Sequence, residues 1–330
     1  MRAVKLLKWT SHALITVPTV ALSGWYVFAA DEKQRNLINA TAKSFPVIFK
    51  GNPLRCLRTF KAGVQVSADY KYSLYGLDDE SEEYEETLKE VHSRSANRIL
   101  EACLHNGGLY VKFGQGVVSM NHVLPKEYTE TLSVLQDQCL TRRSDDEVDV
   151  IFEKDFGDTP ENVFESFDRQ PIAAASLAQV FKARTKDGRD MAVKVQYIDL
   201  RDRYDGDVAT IKAVLNLTEV VHPKFSFGWI LDDLKGNLAK ELDFVEEGKN
   251  AERCAKDLAA FSSVYVPKVD WSLTSARVIS TEFIDGIKIS DVDRLKAEGH
   301  DLKAIDNNLL TTFAEQLFHT GRFPFEPLGH

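Results

Sequence analysis

The sequence lacks the patterns that define several common classes of protein. Its 330 residues contain only four cysteines, Cys56, Cys103, Cys139 and Cys254, and they form no Cys-x-x-Cys pair. No histidines stand near them at metal-ligand spacing, so neither a disulfide framework nor a zinc site is implied. Basic residues are outnumbered, 41 against 50 acidic ones, and the net charge of −9 argues against nucleic acid as a partner.

Charged residues are missing from one long stretch near the N-terminus. Residues 9–30 contain no Lys, Arg, Asp or Glu and follow a basic start that is free of acids. About 20 apolar residues suffice to cross a bilayer, so this stretch predicts a single-pass transmembrane helix. A secretory signal and a mitochondrial presequence are the alternatives. The basic, acid-free start favours a mitochondrial membrane anchor.

A glycine-rich phosphate-binding loop is also missing. Two β-rich runs meet at Asp187 and Gly188, which predicts a β-hairpin. Protein kinases have a glycine-rich loop at the corresponding place. Here the first run begins with a stretch of small residues instead: Ala173, Ala174, Ala175 and Ser176. Each Cβ largely forbids the positive φ values that glycine adopts, so this loop is expected to be stiffer. A run of small residues is, by itself, more often a packing site.

The second run of the hairpin carries a charge, Lys194, between Val193 and Val195. A buried ammonium is costly unless an anion meets it, so a partner is expected. Protein kinases place a lysine in this way to contact the α- and β-phosphates of ATP. The alternative is an edge-strand lysine that reaches water.

An acidic cluster supplies the anion. Apolar residues recur at helical spacing from Trp229 to Leu258 and predict one helix. Glu247 is placed on it to pair with Lys194, while Glu241 and Asp243 are available to a second cation. The candidate for that cation is Lys112, in the segment Lys112-Phe-Gly-Gln115. The alternative is a solvated acidic helix face.

These pieces, in this order, resemble the aarF-domain (UbiB-like) atypical kinases over about residues 85–321. The resemblance implies an α+β, protein-kinase-like fold with an N-terminal helical extension, a complete small lobe and ATP as ligand. It assigns the ATP site to the following residues: Ala173, Ala174, Ala175, Ser176, Lys194, Glu247 and, through main-chain groups, Glu282, Phe283 and Ile284. It assigns a lid over the pocket to four others: Lys112, Gln115, Glu241 and Asp243.

The resemblance also divides the chain. The expected segments are a targeting or transmembrane segment (1–30), a linker and helical region (31–84), a helical extension (85–160), the small lobe (161–286) and the start of a truncated large lobe (287–330). An amphipathic helix is predicted from Asp301 to His319. Animal members of the family are largely mitochondrial, which agrees with a membrane-anchored mitochondrial protein.

The chain then departs from the family pattern. Relatives continue with a His-x-Asp-Pro-His-Pro-Gly-Asn loop and later an Asp-Phe-Gly-like metal site, whereas residues 322–330 read Arg-Phe-Pro-Phe-Glu-Pro-Leu-Gly-His. Mg²⁺ is expected for the family, but its ligands and the catalytic aspartate have no counterpart here. Two interpretations remain open. One is an atypical kinase or ATPase tied to mitochondrial lipid or quinone metabolism, with pathway proteins as partners and this truncated chain inactive. The other is a non-catalytic nucleotide-binding scaffold or an unstable splice fragment.

Overall fold

A computed structural model describes residues 30–50, 52–120, 122–137 and 145–319. The predicted membrane segment, apart from Ala30, and the tail that begins at Gly321 lie outside these ranges, so both remain predictions. No helix in the described part of the chain combines the length and the apolar character that a membrane crossing requires.

The described residues form helices and one small sheet. The helices are α1 (Glu32–Lys50), α2 (Pro53–Ser73), α3 (Glu82–Asn106), α4 (Leu109–Val118), α5 (Lys126–Leu132), α6 (Val134–Asp137), α7 (Asp145–Phe156), α8 (Pro160–Val163), α9 (Leu200–Val221), α10 (Gly228–Glu241), α11 (Phe244–Asp257), α12 (Val292–Ala297) and α13 (Leu302–Ala314). The strands are β1 (Ser166–Phe167), β2 (Ala173–Ala174), β3 (Ala178–Arg184), β4 (Asp190–Gln196) and β5 (Val278–Glu282). A short 3₁₀ turn (Trp271–Leu273) precedes β5, and a π-helical turn (Glu315–His319) continues α13.

The chain divides into two compact units, the first of which contains residues up to Val91 together with Asp205–Asp232. This unit is helical. Asn52 caps α2 by accepting a hydrogen bond from the Leu54 amide, and Pro53 occupies the first helical position, where its missing N–H costs nothing. In the interior, Arg55 donates to both carboxylate oxygens of Asp207, at 3.0 and 2.6 Å, which satisfies a buried charge pair.

The second unit comprises His92–Tyr204 and the chain from Asp233 onward, and it contains the sheet. The strand order is β1-β3-β4-β5, β2 pairs with β3 beside β1, and all pairings are antiparallel. The predicted hairpin is confirmed as β3 and β4, and Gly188 in its turn has φ +86°. Lys194 lies opposite Val180 on one side and Ile279 on the other. Because β4 is a central strand, the edge-strand alternative for Lys194 is wrong.

The two faces of this sheet pack against different helices. One face packs against α7 in an apolar core formed by Val148, Ile151, Phe152, Phe164, Phe181, Ala183, Met191, Val193, Val195 and Val278. Asp155 on α7 accepts hydrogen bonds from Arg277 and Ser275. Burial alone would raise the pKa of Asp155, but these bonds more than offset it and hold the pKa below its usual range. The opposite face carries Lys194 and packs against Phe244 of α11.

One local prediction needs correction. The single helix expected from Trp229 to Leu258 is wrong, because it breaks after Glu241 into α10 and α11. Beside the sheet, Val269 forms an isolated antiparallel bridge with Thr281 of β5. The amphipathic helix predicted from Asp301 is confirmed as α13, which Asp301 caps. The five-segment division of the chain stays a prediction.

Candidate functional site

The centre of the site is an ion pair between a central strand and a helix. Lys194 Nζ donates to Glu247 Oε1 at 2.9 Å and to Oε2 at 3.0 Å. The ammonium also lies 4.8 Å from the ring centroid of Phe244, a cation–π distance. Lys194 has three N–H donors and Glu247 takes two, which leaves one donor for a further anion.

Glu247 reaches Lys194 because of how α11 begins. The Asp243 side chain accepts a hydrogen bond from the Val245 amide at 3.1 Å and caps the helix, so Glu247 lies in its first turn. Asp243 was predicted to face Lys112. The structure gives its carboxylate this capping role, and it places Glu241 3.1 Å from Lys112.

The break between α10 and α11 is bound by two side chains, one from the last residue of β4 and one from the first turn of α9. Gln196 Nε2 donates to the Leu242 carbonyl oxygen at 3.2 Å, and Arg201 Nε donates to the same oxygen at 3.1 Å. Arg201 Nη2 also donates to the Ala276 oxygen at 2.8 Å. Neither residue was among the predicted site residues. Both belong to the run from Gln196 to Asp207, which is close enough to Lys194 in the chain to have suggested one.

A second ion pair lies beside the first. Lys112 Nζ on α4 is 3.1 Å from Glu241 Oε2, and only 11% and 20% of these side chains are exposed. Burial lowers the pKa of Lys112, against the attraction of Glu241. Burial likewise raises the pKa of Glu241, while Lys112 and Lys194 pull it back down. Both pKa values also respond to Glu247, so the two lysines and two glutamates form one electrostatic cluster.

Helix α4 presents Lys112 through close packing at two glycines. It follows a turn at Gly107 and Gly108, whose φ values are +63° and +54°. A Cβ on Gly114 would overlap Leu135 Cδ1, and one on Gly116 would lie 2.9 Å from Leu234 Cδ1 of α10. The glycines therefore let α4 approach α6 and the helix that ends in Glu241.

Gln115, the other predicted lid residue on α4, points away from the charge cluster. Its Nε2 donates to the Leu135 carbonyl oxygen at 2.8 Å, which fastens α4 to α6. Gln115 therefore contributes to the predicted lid by fixing the position of α4. Sequence spacing alone could not reveal this, because the acceptor is a main-chain group.

The alanine-rich loop is a tight β-turn between β2 and β3. The Ala175 amide donates to the Ala178 oxygen at 2.7 Å, and Tyr197 Oη donates to the Ala175 oxygen at 3.0 Å. Ala173 and Ala174 form β2 itself and pair with Val180 and Gln179.

The three residues predicted to contact ATP through main-chain groups, Glu282–Ile284, lie at the end of β5 and directly after it. The Glu282 amide donates to the Lys268 oxygen at 3.0 Å, and the Phe283 amide donates to the Asp190 oxygen at 3.1 Å. The Glu282 carboxylate accepts hydrogen bonds from Tyr265 Oη and from the Lys268 amide. Ile284 is half exposed where the chain leaves the sheet. Of the three residues, Ile284 is therefore the best placed to offer its amide to a base.

A metal site would require several ligating side chains close together. Within the described ranges, no three His, Cys, Asp or Glu side chains stand close enough together to hold a metal ion.

Three comparisons place the chain among known proteins. The family described as "ABC1 atypical kinase-like domain" matches residues 134–327. The probable serine/threonine-protein kinase abkD of Dictyostelium discoideum is 45% identical over 265 residues, which cover 80% of this chain and 38% of that protein. AarF domain-containing protein kinase 1 of Mus musculus is 35% identical over 326 residues, 99% of this chain and 58% of that protein.

A solved structure, the complex of Rv3197 with erythromycin from Mycobacterium tuberculosis, covers 64% of this chain and 53% of its own, with 26% identity and a TM-score of 0.41. The chain spans about half the length of the curated relatives it matches. The family match covers more than half of the chain and includes the whole sheet, Lys194 and Glu247. The chain therefore belongs to the ABC1 (aarF-domain) family of atypical kinase-like proteins and has a kinase-like fold.

Proposed function

We propose that the second unit binds ATP and that Lys194 contacts its phosphates. The observation that carries this proposal is the ion pair of Lys194 with Glu247 on a central strand, beside Phe244. A largely buried ion pair of this kind adds little to stability, which favours a functional role for the lysine. The remaining N–H donor of Lys194 is suited to a phosphate oxygen.

The other predicted residues take supporting roles in the proposed site. The turn Ala173–Ser176 covers the phosphates, and its main chain approaches them closely because its side chains are small. The segment Glu282–Ile284 contacts the adenine through main-chain groups, with the Ile284 amide as donor. These roles rest on the family resemblance together with the positions of β2 and β5.

Lys112 and Glu241 form the proposed lid. Their ion pair lies in the same electrostatic cluster as Lys194 and Glu247. A phosphate that approaches Lys194 would add negative charge to a cluster whose four members cancel. We therefore expect nucleotide affinity to depend on the charge of Lys112 as well as on Lys194.

Phosphoryl transfer is a proposal for the longer family proteins. When bound, Mg²⁺ would neutralise charge on the transferred phosphate, and the family's loop of histidines, aspartate and asparagine would supply its ligands. That loop has no counterpart in the 330 residues. A non-catalytic nucleotide-binding scaffold is the second candidate function, and ATP hydrolysis measured with and without Mg²⁺ distinguishes it from an enzyme.

Cellular context rests on the resemblance and on residues 1–30. We propose a mitochondrial, membrane-anchored protein whose partners belong to lipid or quinone metabolism. Alkaline carbonate extraction tests the anchor: a spanning segment keeps the protein in the membrane pellet. A soluble protein that has lost those residues would identify them as a removed targeting signal.

The nucleotide proposal is tested by titrating the full chain with ATP, ADP, AMP and adenosine, using displacement of a fluorescent ATP analogue. If Lys194 contacts phosphates, ATP and ADP should displace the analogue at much lower concentrations than AMP or adenosine. Equal displacement by all four ligands would place the phosphates outside the site, and absence of any displacement would remove the proposal.

A further inference from the structure

The first unit carries an exposed apolar surface on its first two helices. Helices α1 and α2 follow each other in the chain and together bury Ile48 and Cys56 with Ala213. Large apolar side chains are left outside on the same two helices. We call this set the hairpin surface, and it consists of Phe45, Val47, Phe49, Leu54, Leu57 and Val64. Phe49, Leu54, Leu57 and Val64 each expose more than 60% of their surface.

These exposed residues are arranged as two organised patches. Phe45 and Phe49 stack with ring centroids 5.8 Å apart, one turn apart on α1. Leu54, Leu57 and Val64 recur at helical spacing, so they share one face of α2. Single exposed apolar residues are ordinary, but a contiguous set marks a surface that meets something apolar.

The charge around the hairpin surface identifies what it meets. From Lys33 to Ala68 the sequence has seven Lys and Arg residues and no Asp or Glu, in a chain whose net charge is −9. Among the seven, Arg55 pairs with Asp207, and Lys33 lies 2.6 Å from Glu219. Lys43 is exposed one turn before Val47 on α1, and Lys61 is exposed one turn after Leu57 on α2. A purely protein-binding face would not require that acids be excluded over 36 consecutive residues.

We propose that the hairpin surface docks on an anionic lipid bilayer. Its apolar side chains would enter the boundary between headgroups and acyl chains, and its lysines would remain at the level of the headgroups. Exposed Tyr72 and Tyr75 at the far end of α2 suit the same interface, where tyrosine combines an apolar ring with a polar tip. Each basic residue near an anionic surface adds about 1 kcal/mol of attraction, or about five-fold in affinity. The proposal does not depend on nucleotide binding or on residues 1–30.

The test places a fluorescent reporter in the hairpin surface of the full-length chain. Leu57→Trp is compared with Tyr265→Trp, an exposed position of the second unit, and the emission of the parent chain with its four tryptophans is subtracted from both. Vesicles contain brominated phosphatidylcholine, with or without phosphatidylserine, because bromine quenches only tryptophans that enter the bilayer. Circular dichroism confirms that both variants are folded.

On anionic vesicles we expect the added emission of Leu57→Trp to be quenched and that of Tyr265→Trp to be unaffected. Added salt should reverse the quenching, because salt screens the attraction. Lys43→Gln with Lys61→Gln should lower the ratio of docked to undocked chain by about five-fold per charge, whereas Lys186→Gln with Lys256→Gln should not. Three results overturn the proposal: no quenching specific to Leu57→Trp, equal quenching on neutral vesicles, or a concentration-dependent blue shift without lipid, which indicates a second copy of the chain.

Discussion

The guanidinium of Arg201 donates from Nε to the carbonyl oxygen of Leu242 at 3.1 Å, across the break between α10 and α11. That carbonyl lies between the helix that ends in Glu241 and the helix that carries Glu247. Arg201 therefore positions both acidic partners of the charge cluster without touching either. Lys194 and Arg201 are seven residues apart in the chain, so one segment supplies both the cation and the support for its anion.

Replacement of Arg201 should loosen both ion pairs together. Arg201→Gln removes hydrogen bonds from a charged donor, which typically costs about 1.5–3 kcal/mol; the exposure of Arg201 favours the low end. We expect a lower free energy of unfolding in urea and weaker binding of the ATP analogue. Arg184→Gln, at an exposed position of β3, is the control that should leave both unchanged. Loss of stability with unchanged nucleotide affinity would show that Arg201 does not position the site.

The lid pair gives a prediction on coupling. Lys112→Met strands the Glu241 carboxylate in a mostly buried place, and loss of one partner of a buried pair costs about 3–5 kcal/mol, less here because of partial exposure. Adding Glu241→Gln should recover much of that loss, so a double-mutant cycle should be non-additive. The same cycle with Asp243→Ala should be additive within about 0.5 kcal/mol, because Asp243 caps α11 instead. Strong coupling of Lys112 to Asp243 would contradict the observed arrangement.

The pH dependence of stability follows from the raised pKa of Glu241. A carboxyl group whose folded-state pKa exceeds its unfolded value favours folding at low pH, and this contribution is lost as pH rises through the raised pKa. Lys112→Met removes the attraction that pulls this pKa down, so the pKa should rise further. The stability deficit of Lys112→Met should therefore grow as the pH rises above the ordinary pKa of glutamate, about 4.3. In Lys112→Met with Glu241→Gln that trend should disappear, and a trend that persists would assign it to another group.

Replacing either of two glycines by alanine should change the free energy of unfolding, in opposite directions at the two positions. Gly114→Ala would place a methyl group on Leu135, and overpacking of this kind costs about 1–3 kcal/mol. Gly236 lies in α10 with no neighbour near its Cβ position, so Gly236→Ala should stabilise the chain by about 0.5–1 kcal/mol. Thermal unfolding followed by circular dichroism measures both. Equal effects would mean that α4 does not approach α6 as closely as the structure has it.

The pairing of Lys194 was predictable because a charge within a buried strand demands an anion, and the acidic cluster that includes Glu247 supplies one. The break in the helix at Leu242 was not predictable, because the apolar residues on both sides of it fit one continuous helix: Leu231, Leu234, Leu238, Leu242 and Val245. What ends that helix is a main-chain carbonyl bound by Gln196 and Arg201, more than 40 residues earlier in sequence. Contacts to main-chain atoms leave no complementary pattern of side chains. The same limit explains why the sequence did not indicate that Gln115 binds the Leu135 carbonyl or that Asp243 binds the Val245 amide.

The central claim is that Lys194 is the phosphate contact of an ATP site. Its most direct test is calorimetric titration of the full chain with ATP, comparing Lys194→Met with Lys186→Met, an equal loss of charge in the exposed loop between β3 and β4. We predict that Lys194→Met abolishes measurable binding, that Lys186→Met binds as the parent does, and that both have the parent's circular dichroism spectrum. Equal ATP affinity in Lys194→Met and the parent would contradict the account.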